Sequence, residues 1–106
     1  IKQAYKQIER VAEQKLVGML PDELRGEYGD LILNREADDE VYKIVKAADK
    51  ICAYLKCVEE MSAGNKEFEK AKATLKKAIK KIDMKEVQFF MDNFVPSFDL
   101  TLDELN

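Results

Sequence analysis

The sequence contains no histidine and no tryptophan, and it has only two cysteines, two prolines and four glycines among its 106 residues. Without histidine, catalytic triads of the Ser-His-Asp type and Cys-His pairs are excluded within this chain. Most zinc sites need histidine or several cysteines, so no zinc site is expected from this sequence alone. The scattered glycines form no phosphate-binding loop. The chain by itself therefore contains no complete catalytic constellation.

Long apolar runs and a strong basic excess are also missing. No run approaches the roughly 20 apolar residues that span a bilayer, and no signal-peptide pattern is present. The net charge of −3 disfavours nucleic-acid binding, which usually needs a clear excess of Lys and Arg. We therefore expect a cytoplasmic protein that binds neither a membrane nor a nucleic acid.

The composition is 46% hydrophobic and 37% charged, which is typical of a largely helical protein with one domain or part of one. Cys52 and Cys57 are five residues apart on one predicted helix, about 140° from each other around its axis. At this separation they cannot easily form a disulfide or share a metal. We interpret them as two buried thiols in a reducing compartment.

Apolar residues recur at helical spacing in four segments, which predicts an all-α helical bundle with short connections. The first segment covers residues 1 to about 20. It begins in register without an N-cap, which suggests a chain cut from something longer. The sequence LPDEL at 20–24 should break this helix and start a short one. Gly26 and Gly29 should then form a turn, and residues 31–33 should lie in a connecting segment.

The second long helix is predicted from about residue 38 to 63, with acidic residues 38–40 at its start, where the helix dipole favours them. Its apolar sector is broad and centred on Ala48, with only a narrow strip of lysines, so we expect this helix at the centre of the bundle. Gly64 should end it, and Asn65 should cap the next helix.

The third long helix is predicted over residues 66–82, where seven lysines and two glutamates give a net charge of +5. We expect these lysines to be solvated rather than to bind a ligand. Asp83 and Glu86 should start a fourth helix that ends before Pro96. Residues 101–104 resemble a capping box for one last turn.

One carboxylate stands out on the second long helix. Asp49 lies within KAADKICAYLKC, residues 46–57, at the border of the apolar sector. A carboxylate that loses its hydration there is costly unless a cation or hydrogen bonds compensate it. The pattern leaves two interpretations open. Asp49 forms an ion pair with Lys46, Lys50 or Lys56, which are within helical reach, or it is a ligand for a metal or substrate.

Three stretches resemble the HD-domain phosphohydrolases of the YfbR-like 5′-deoxynucleotidase family, in order and over nearly the whole chain. They read YKQIERVAEQKLVGMLPDELR, KAADKICAYLKCVEEMSAGNKEF and FFMDNFVPSFDLTLDEL. The resemblance implies that residues 1–106 form a single all-helical segment. This segment would be the C-terminal half of an HD domain whose N-terminal half is absent from this chain.

The resemblance also implies a function. Enzymes of that family hold one divalent metal with a His, a consecutive His-Asp pair and a later Asp. Asp49 matches the later Asp, and the other ligands and the catalytic residues would precede Ile1. The implied reaction is hydrolysis of a (deoxy)nucleoside 5′-monophosphate to a nucleoside and inorganic phosphate, with a metal such as Co or Mn. The implied assembly is a homodimer. With one carboxylate, this chain alone should bind no metal tightly and be inactive.

A second hypothesis is a non-catalytic helical module for interaction or dimerisation. The helices over 1–20 and 84–95 have broad apolar faces that a lone bundle would not fully cover. This hypothesis predicts that the chain self-associates and that Asp49→Ala leaves its function unchanged. The enzyme hypothesis predicts instead that a His and a His-Asp pair are encoded before Ile1.

Overall fold

The structure is a computed structural model that describes residues 1–33 and 39–105. This part contains five α-helices and no strand, which confirms the predicted all-α fold class. The helices are α1 (Lys2–Gly18), α2 (Asp22–Leu33), α3 (Asp39–Ser62), α4 (Glu69–Lys80) and α5 (Lys85–Asn93). Two short 3₁₀ helices, Lys66–Phe68 and Val95–Asp99, precede α4 and follow α5.

The chain divides into two compact units, Ile1–Tyr42 and Lys43–Asn106. None of the helices in the described ranges is long and apolar enough to cross a bilayer. The acidic start predicted for the second long helix is confirmed at Asp39 and Glu40, which lie in the first turn of α3. Asp38, which was predicted with them, lies outside the described residues.

In the first unit, α1 and α2 pack against each other at Val17 and Gly29. Both residues are buried, and a Cβ added to Gly29 would lie 3.3 Å from Val17 Cγ1. The absence of a side chain at Gly29 therefore allows the two helices to approach closely. Arg10 Nη1 donates to the carbonyl oxygen of Leu33 at 2.7 Å, which ties the end of α2 to α1.

Arg25 closes the turn between α1 and α2. Its Nη2 donates to the carbonyl oxygens of Leu20 and Gly18 at 2.9 and 3.3 Å, at the end of α1 where carbonyls lack partners within the helix. Its Nη1 lies 3.1 Å from Asp22 Oδ1. The predicted helix break at 20–24 is confirmed, because α1 ends at Gly18 and α2 begins at Asp22.

Two predicted details of the first unit are wrong. Gly26 and Gly29 lie inside α2 rather than in a turn, and residues 31–33 form the last turn of α2 rather than a connection. A glycine within a helix costs about 1 kcal/mol relative to alanine, which makes glycine a weak signal against a helix. Of the two, only Gly29 lies against a neighbouring helix, since an added Cβ there would lie 3.3 Å from Val17 Cγ1, whereas one on Gly26 would meet nothing within 4 Å.

In the second unit, α3, α4, α5 and the 3₁₀ helix Val95–Asp99 share one core. Each element contributes to it, and the buried members are Ala47, Tyr54, Val58, Ile79, Val87 and Val95. Val58 and Ile79 are the most deeply buried, each with 1% of its surface exposed. No charged side chain is buried among the residues the structure describes, so this core is stabilised by apolar contacts.

The end of α3 follows the prediction. Gly64 has φ of +89°, the left-handed region in which glycine often terminates a helix. Asn65 Oδ1 accepts a hydrogen bond from the backbone N–H of Glu67 at 3.3 Å and so caps the following 3₁₀ helix. Its Nδ2 donates to Glu60 Oε2 at 3.1 Å. The predicted roles of Gly64 and Asn65 are confirmed.

The start of α5 differs from the prediction. The helix begins at Lys85 without a side-chain cap, so the start predicted at Asp83 is wrong, whereas Glu86 lies in the first turn as predicted. Gln88 instead reaches back to the end of α4, where its Nε2 donates to the carbonyl oxygens of Ile79 and Ile82 at 3.3 and 3.1 Å. This tertiary contact fixes the start of α5 relative to α4. The sequence around Gln88 contains no motif that predicts the contact.

The final predictions along the chain agree with the structure. The helix α5 ends at Asn93, before Pro96, which lies in the first turn of the next 3₁₀ helix. The backbone N–H of Thr101 donates to Glu104 Oε2 at 2.7 Å, as expected for a capping box. Hydrogen bonds from the backbone and the side chain of Thr101 lower the pKa of Glu104.

Candidate functional site

The candidate site is built on α3, and one side of this helix is anchored in the core. Ala47, Tyr54 and Val58 recur at helical spacing on this side, and none is more than 6% exposed. They pack together with Ile79 of α4 and Val87 of α5. The orientation of every other side chain on this part of α3 follows from that packing.

A second apolar side of α3 is exposed. At about 100° per residue, it extends from about 60° to about 160° around the axis from Ala47. We name it the outer stripe, and it consists of Ile44, Val45, Ala48 and Cys52, all exposed. The prediction that burial is centred on Ala48 is wrong, because α4 and α5 pack against the side of Ala47. Hydrophobic periodicity indicates how wide an apolar sector is, but not which part of it neighbouring helices cover.

Asp49 lies next to the outer stripe, on the side away from the core. It is two residues after Ala47 and therefore about 160° around the axis from it. Val45 and Cys52 are its apolar neighbours along the helix surface, at i−4 and i+3. Asp49 is exposed, so its carboxylate is hydrated in this chain and carries no burial penalty.

Asp49 forms no ion pair with the described lysines within helical reach of it. Lys56 Nζ lies 2.8 Å from Glu60 Oε1, and this hydrogen bond raises the pKa of Lys56. The same bond, followed by the one from Asn65, lowers the pKa of Glu60. Asp49 forms no ion pair with any residue in the ranges 1–33 and 39–105. Its oxygens are therefore free for another ligand.

Asp49 belongs to no ready-made metal site in the described part of the chain. Over the described residues, no group of three or more His, Cys, Asp or Glu side chains is arranged to hold a metal ion. Carboxylate oxygens suit hard divalent ions, but such ions take several ligands. Asp49 alone offers too few ligands for such an ion, and its role as a ligand stays a prediction.

The two cysteines differ from each other. Cys57 is buried, as predicted, whereas Cys52 is exposed on the outer stripe. The prediction of two buried thiols is therefore wrong for Cys52. The cause is the same as for Ala48, since both lie on the part of the apolar sector that α4 and α5 leave uncovered.

A basic groove between α3 and α4 is the feature that the sequence pattern did not indicate. It is open, has a volume of about 500 Å³, and is lined by Lys50, Thr74, Lys77, Ala78, Lys81 and Ile82. The four-residue spacing of Lys77 and Lys81 places them on one face of α4. Only the packing of α3 against α4 brings Lys50 to the same groove, so spacing within one helix cannot reveal it.

Comparison with known proteins identifies the family. The profile of the family described as 5′-deoxynucleotidase YfbR-like matches residues 1–98. The chain belongs to this family. Three relatives named 5′-deoxynucleotidase are similar to the chain over nearly all of its length. The relative from Klebsiella pneumoniae subsp. pneumoniae is 52% identical over 106 residues, that from Vibrio atlanticus 47% over 106, and that from Erwinia tasmaniensis 51% over 102.

The chain spans about half the length of the curated relatives it matches. It covers 53% of the Klebsiella protein, 55% of the Vibrio protein and 52% of the Erwinia protein, while 100%, 100% and 96% of the chain are matched. The relatives therefore contain a large part that this YfbR-like sequence does not represent. The resemblance to the family found in the sequence is confirmed.

Proposed function

We propose that this YfbR-like chain is part of a metal-dependent phosphohydrolase that releases phosphate from (deoxy)nucleoside 5′-monophosphates. The observation that carries the proposal is the family match over residues 1–98, with relatives about half identical that are named 5′-deoxynucleotidase. Because function depends on a site rather than on a fold, the proposal also needs a functional side chain in this chain. Asp49 is that side chain, in the stretch KAADKI.

The surroundings of Asp49 support a ligand role. The outer stripe beside it is exposed and apolar, which is the kind of surface that another part of a protein covers. A segment packed on this stripe would bring its own side chains next to Asp49 and remove water from the carboxylate. The carboxylate would then need a cation or hydrogen bonds to compensate the lost hydration.

The complete site would combine Asp49 with a His and a His-Asp pair from outside this chain, in an HD-type domain. The divalent ion would be Co, Mn or similar, and when bound it supplies charge stabilisation at the phosphate and an acidified water. The contribution of this chain would be to hold the carboxylate of Asp49 in a fixed position. Ala47, Tyr54 and Val58 fix α3 in the core, so Asp49 is presented from a rigid element rather than a loop.

The test uses the full-length protein with Asp49→Asn, which removes one charge and keeps the side-chain size. Loss of a hydrogen-bonded neighbour of a metal ligand typically costs 10- to 100-fold, so loss of a ligand should reduce phosphate release by roughly 100-fold or more. Metal content should fall in parallel. The control is Asp83→Asn, another exposed carboxylate, which should change neither quantity. Undiminished metal content and phosphate release in Asp49→Asn would refute the role of Asp49.

The proposal includes the partners and the location of the protein. The substrate is a nucleoside monophosphate, the assembly is a homodimer, and the protein acts in the cytoplasm without binding nucleic acid or a membrane. The net charge of −3 supports the exclusion of nucleic acid, since phosphate-backbone binding usually needs a basic excess. Sedimentation velocity on the full-length protein tests the homodimer.

A second candidate function is a non-catalytic module for interaction or dimerisation, and the surface of α1 favours it. Tyr5, Ile8 and Leu16 are 65%, 65% and 57% exposed. Contiguous exposed apolar surface often marks a contact with another protein. A full-length protein that self-associates and releases no phosphate from any deoxynucleoside 5′-monophosphate, with Asp49 intact and metal supplied, would favour this candidate over the hydrolase.

A further inference from the structure

The groove between α3 and α4, lined by the six residues given above, concentrates positive charge from two helices. We name it the lysine groove. Lys50 comes from α3, while Lys77 and Lys81 come from the last turn of α4 and the residue that follows it. None of the described residues that line the groove is acidic. Three lysine side chains therefore line one open space without a carboxylate among the described lining residues.

These three lysines have no partner within the described ranges. The side chains of Lys50, Lys77 and Lys81 form no ion pair or hydrogen bond there, whereas the side chain of Lys56 on α3 is paired with Glu60 at 2.8 Å. Lysine charges that line one groove repel one another, and salt screens charges closer than about 10 Å only partly, since that is the Debye length at 0.1 M. A bound anion would remove this repulsion.

Two carbonyls at the end of α4 are satisfied without these lysines. Cations near a helix C-terminus often complement its dipole or bond to its free carbonyls. Here Gln88 Nε2 donates to the carbonyl oxygens of Ile79 and Ile82, at 3.3 and 3.1 Å. The side chains of the groove lysines donate to no described carbonyl, so their ammonium groups remain available to a ligand.

The remaining lining completes a site for a small anion. Ala78 and Ile82 are partly buried and give the groove an apolar floor. The Thr74 hydroxyl donates to the carbonyl oxygen of Lys70 at 3.0 Å, so it supplies no donor to an anion and the lysines provide the polar contacts. A volume of about 500 Å³ lies within the range of small-molecule sites.

We propose that the lysine groove binds the polyphosphate group of a small molecule, either inorganic or carried by a nucleoside triphosphate. Each phosphate group carries about one to two negative charges at neutral pH, so two or three linked phosphates match three ammonium groups better than one phosphate does. Lysines bind phosphate as mobile point charges, which suits an extended chain of phosphate oxygens. This site lies beyond the proposed hydrolase function and does not depend on it.

The first experiment measures binding to the full-length protein by isothermal titration calorimetry in about 0.1 M salt, without added metal. The probes are inorganic tripolyphosphate, a nucleoside triphosphate and inorganic monophosphate. We expect the two triphosphates to bind, and the monophosphate to bind at least roughly 10-fold more weakly because it carries fewer charges. Equal affinity for the two triphosphates identifies the phosphate chain as the ligand. Tighter binding of the nucleotide identifies a nucleoside triphosphate. Both results support the site.

The decisive comparison uses two matched double variants of α4. Lys77→Gln with Lys81→Gln removes two groove lysines. Lys76→Gln with Lys80→Gln removes two exposed lysines at the same spacing on the same helix, outside the groove. We expect the groove variant to weaken tripolyphosphate binding by at least about 10-fold, because it loses direct contacts with the ligand. The control variant should weaken binding by less than about 2-fold, because salt screens charges that lie far from the ligand. Circular dichroism should show that both variants keep their helices.

Three results would overturn the proposal. If neither triphosphate binds to the wild-type protein, the proposed site does not exist. An equal loss in the two double variants would show diffuse attraction to the lysine-rich segment 66–82 instead of a site. An unchanged affinity in Lys50→Gln, together with a loss in the α4 variant, would show that the two helices do not act on one ligand.

Discussion

Ala47 and Asp49 are two residues apart on α3 and lie on nearly opposite sides of it. Ala47 is 4% exposed and packs in the core of the second unit, whereas Asp49 is exposed beyond the outer stripe. One helix thus holds the carboxylate in place with its buried side and presents it on the other side. A side chain on a packed helix keeps its position better than a side chain on a loop.

The incomplete ligand set gives a prediction for this chain alone. Residues 1–106 produced without further sequence should show no stoichiometric site for Mn or Co tighter than about 10 µM, since tighter protein sites use several ligands. Equilibrium dialysis with metal analysis measures this. A stoichiometric tight site on the isolated chain would contradict the view that Asp49 needs ligands from elsewhere.

The core of the second unit should depend strongly on Ile79, which is 1% exposed. Ile79→Ala should lower the free energy of unfolding by about 2–5 kcal/mol, because it removes buried methyl groups and leaves a cavity. Ile79→Val removes one methyl group and should cost only about 0.5–1.5 kcal/mol. Urea unfolding followed by circular dichroism measures both. If Ile79→Ala lowers the free energy of unfolding by less than Ile79→Val does, Ile79 does not lie in the core.

The outer stripe should behave differently in this chain and in the full-length protein. Ile44 is 56% exposed, so Ile44→Ala should change the stability of residues 1–106 alone by no more than about 0.5 kcal/mol. If another part of the full-length protein covers the stripe, the same substitution there should cost about 2–5 kcal/mol. The measurement is the same urea titration on both proteins. Equal, small effects in both would show that the stripe stays uncovered.

Two glycines of α2 form a matched pair. A Cβ on Gly26 meets nothing within 4 Å, so Gly26→Ala should stabilise the chain by about 0.5–1 kcal/mol through the better helix propensity of alanine. A Cβ on Gly29 would lie 3.3 Å from Val17 Cγ1, so Val17 must shift and most of that gain should be lost. Thermal unfolding of the two variants compares them directly. Equal stabilisation by both would mean that the helices do not meet closely at Gly29.

The pair Lys56 and Glu60 gives a pH-dependent prediction. The hydrogen bond from Lys56, followed by the one from Asn65, lowers the pKa of Glu60 in the folded chain. A carboxyl group with a lowered folded pKa stabilises the fold above its ordinary pKa of about 4.3, and this contribution disappears as pH falls through the lowered value. Because Lys56 is 61% exposed, the effect on stability should be small.

Lys56→Gln should move the pKa of Glu60 upward, towards its ordinary value, in an NMR titration of the side-chain carboxyl. The control is Lys43→Gln, an exposed lysine on the same helix, which should leave the pKa of Glu60 where it is. A Glu60 pKa that does not respond to Lys56→Gln would contradict the ion pair.

Local signals in the sequence predicted the helix ends well where backbone preference decides them. Gly64 and Asn65 fulfil their predicted roles because a left-handed glycine and an amide cap act within a few residues. The same reasoning failed at Gly29 and Asp83. Gly29 lies inside α2 against Val17 rather than in a turn, and Gln88 rather than Asp83 connects the start of α5 to α4.

The candidate site was predictable only in part. The resemblance of KAADKI to its family singled out Asp49, and the family match confirms the resemblance but not the role. The exposure of Asp49 and Cys52 was not predictable, because it depends on which parts of the protein pack on the outer stripe. The lysine groove was not predictable either, since its lysines come from two helices.

The sequence by itself determined that the chain is helical and where several of its helices end, because apolar periodicity and capping residues act through local hydrogen bonding and backbone preference. Only the tertiary structure decided which side of α3 is buried and that Lys50 joins Lys77 and Lys81. An apolar sector wider than one contact surface offers several ways to pack, and the choice depends on the shapes of α4 and α5, which lie far from α3 in sequence but against it in the core.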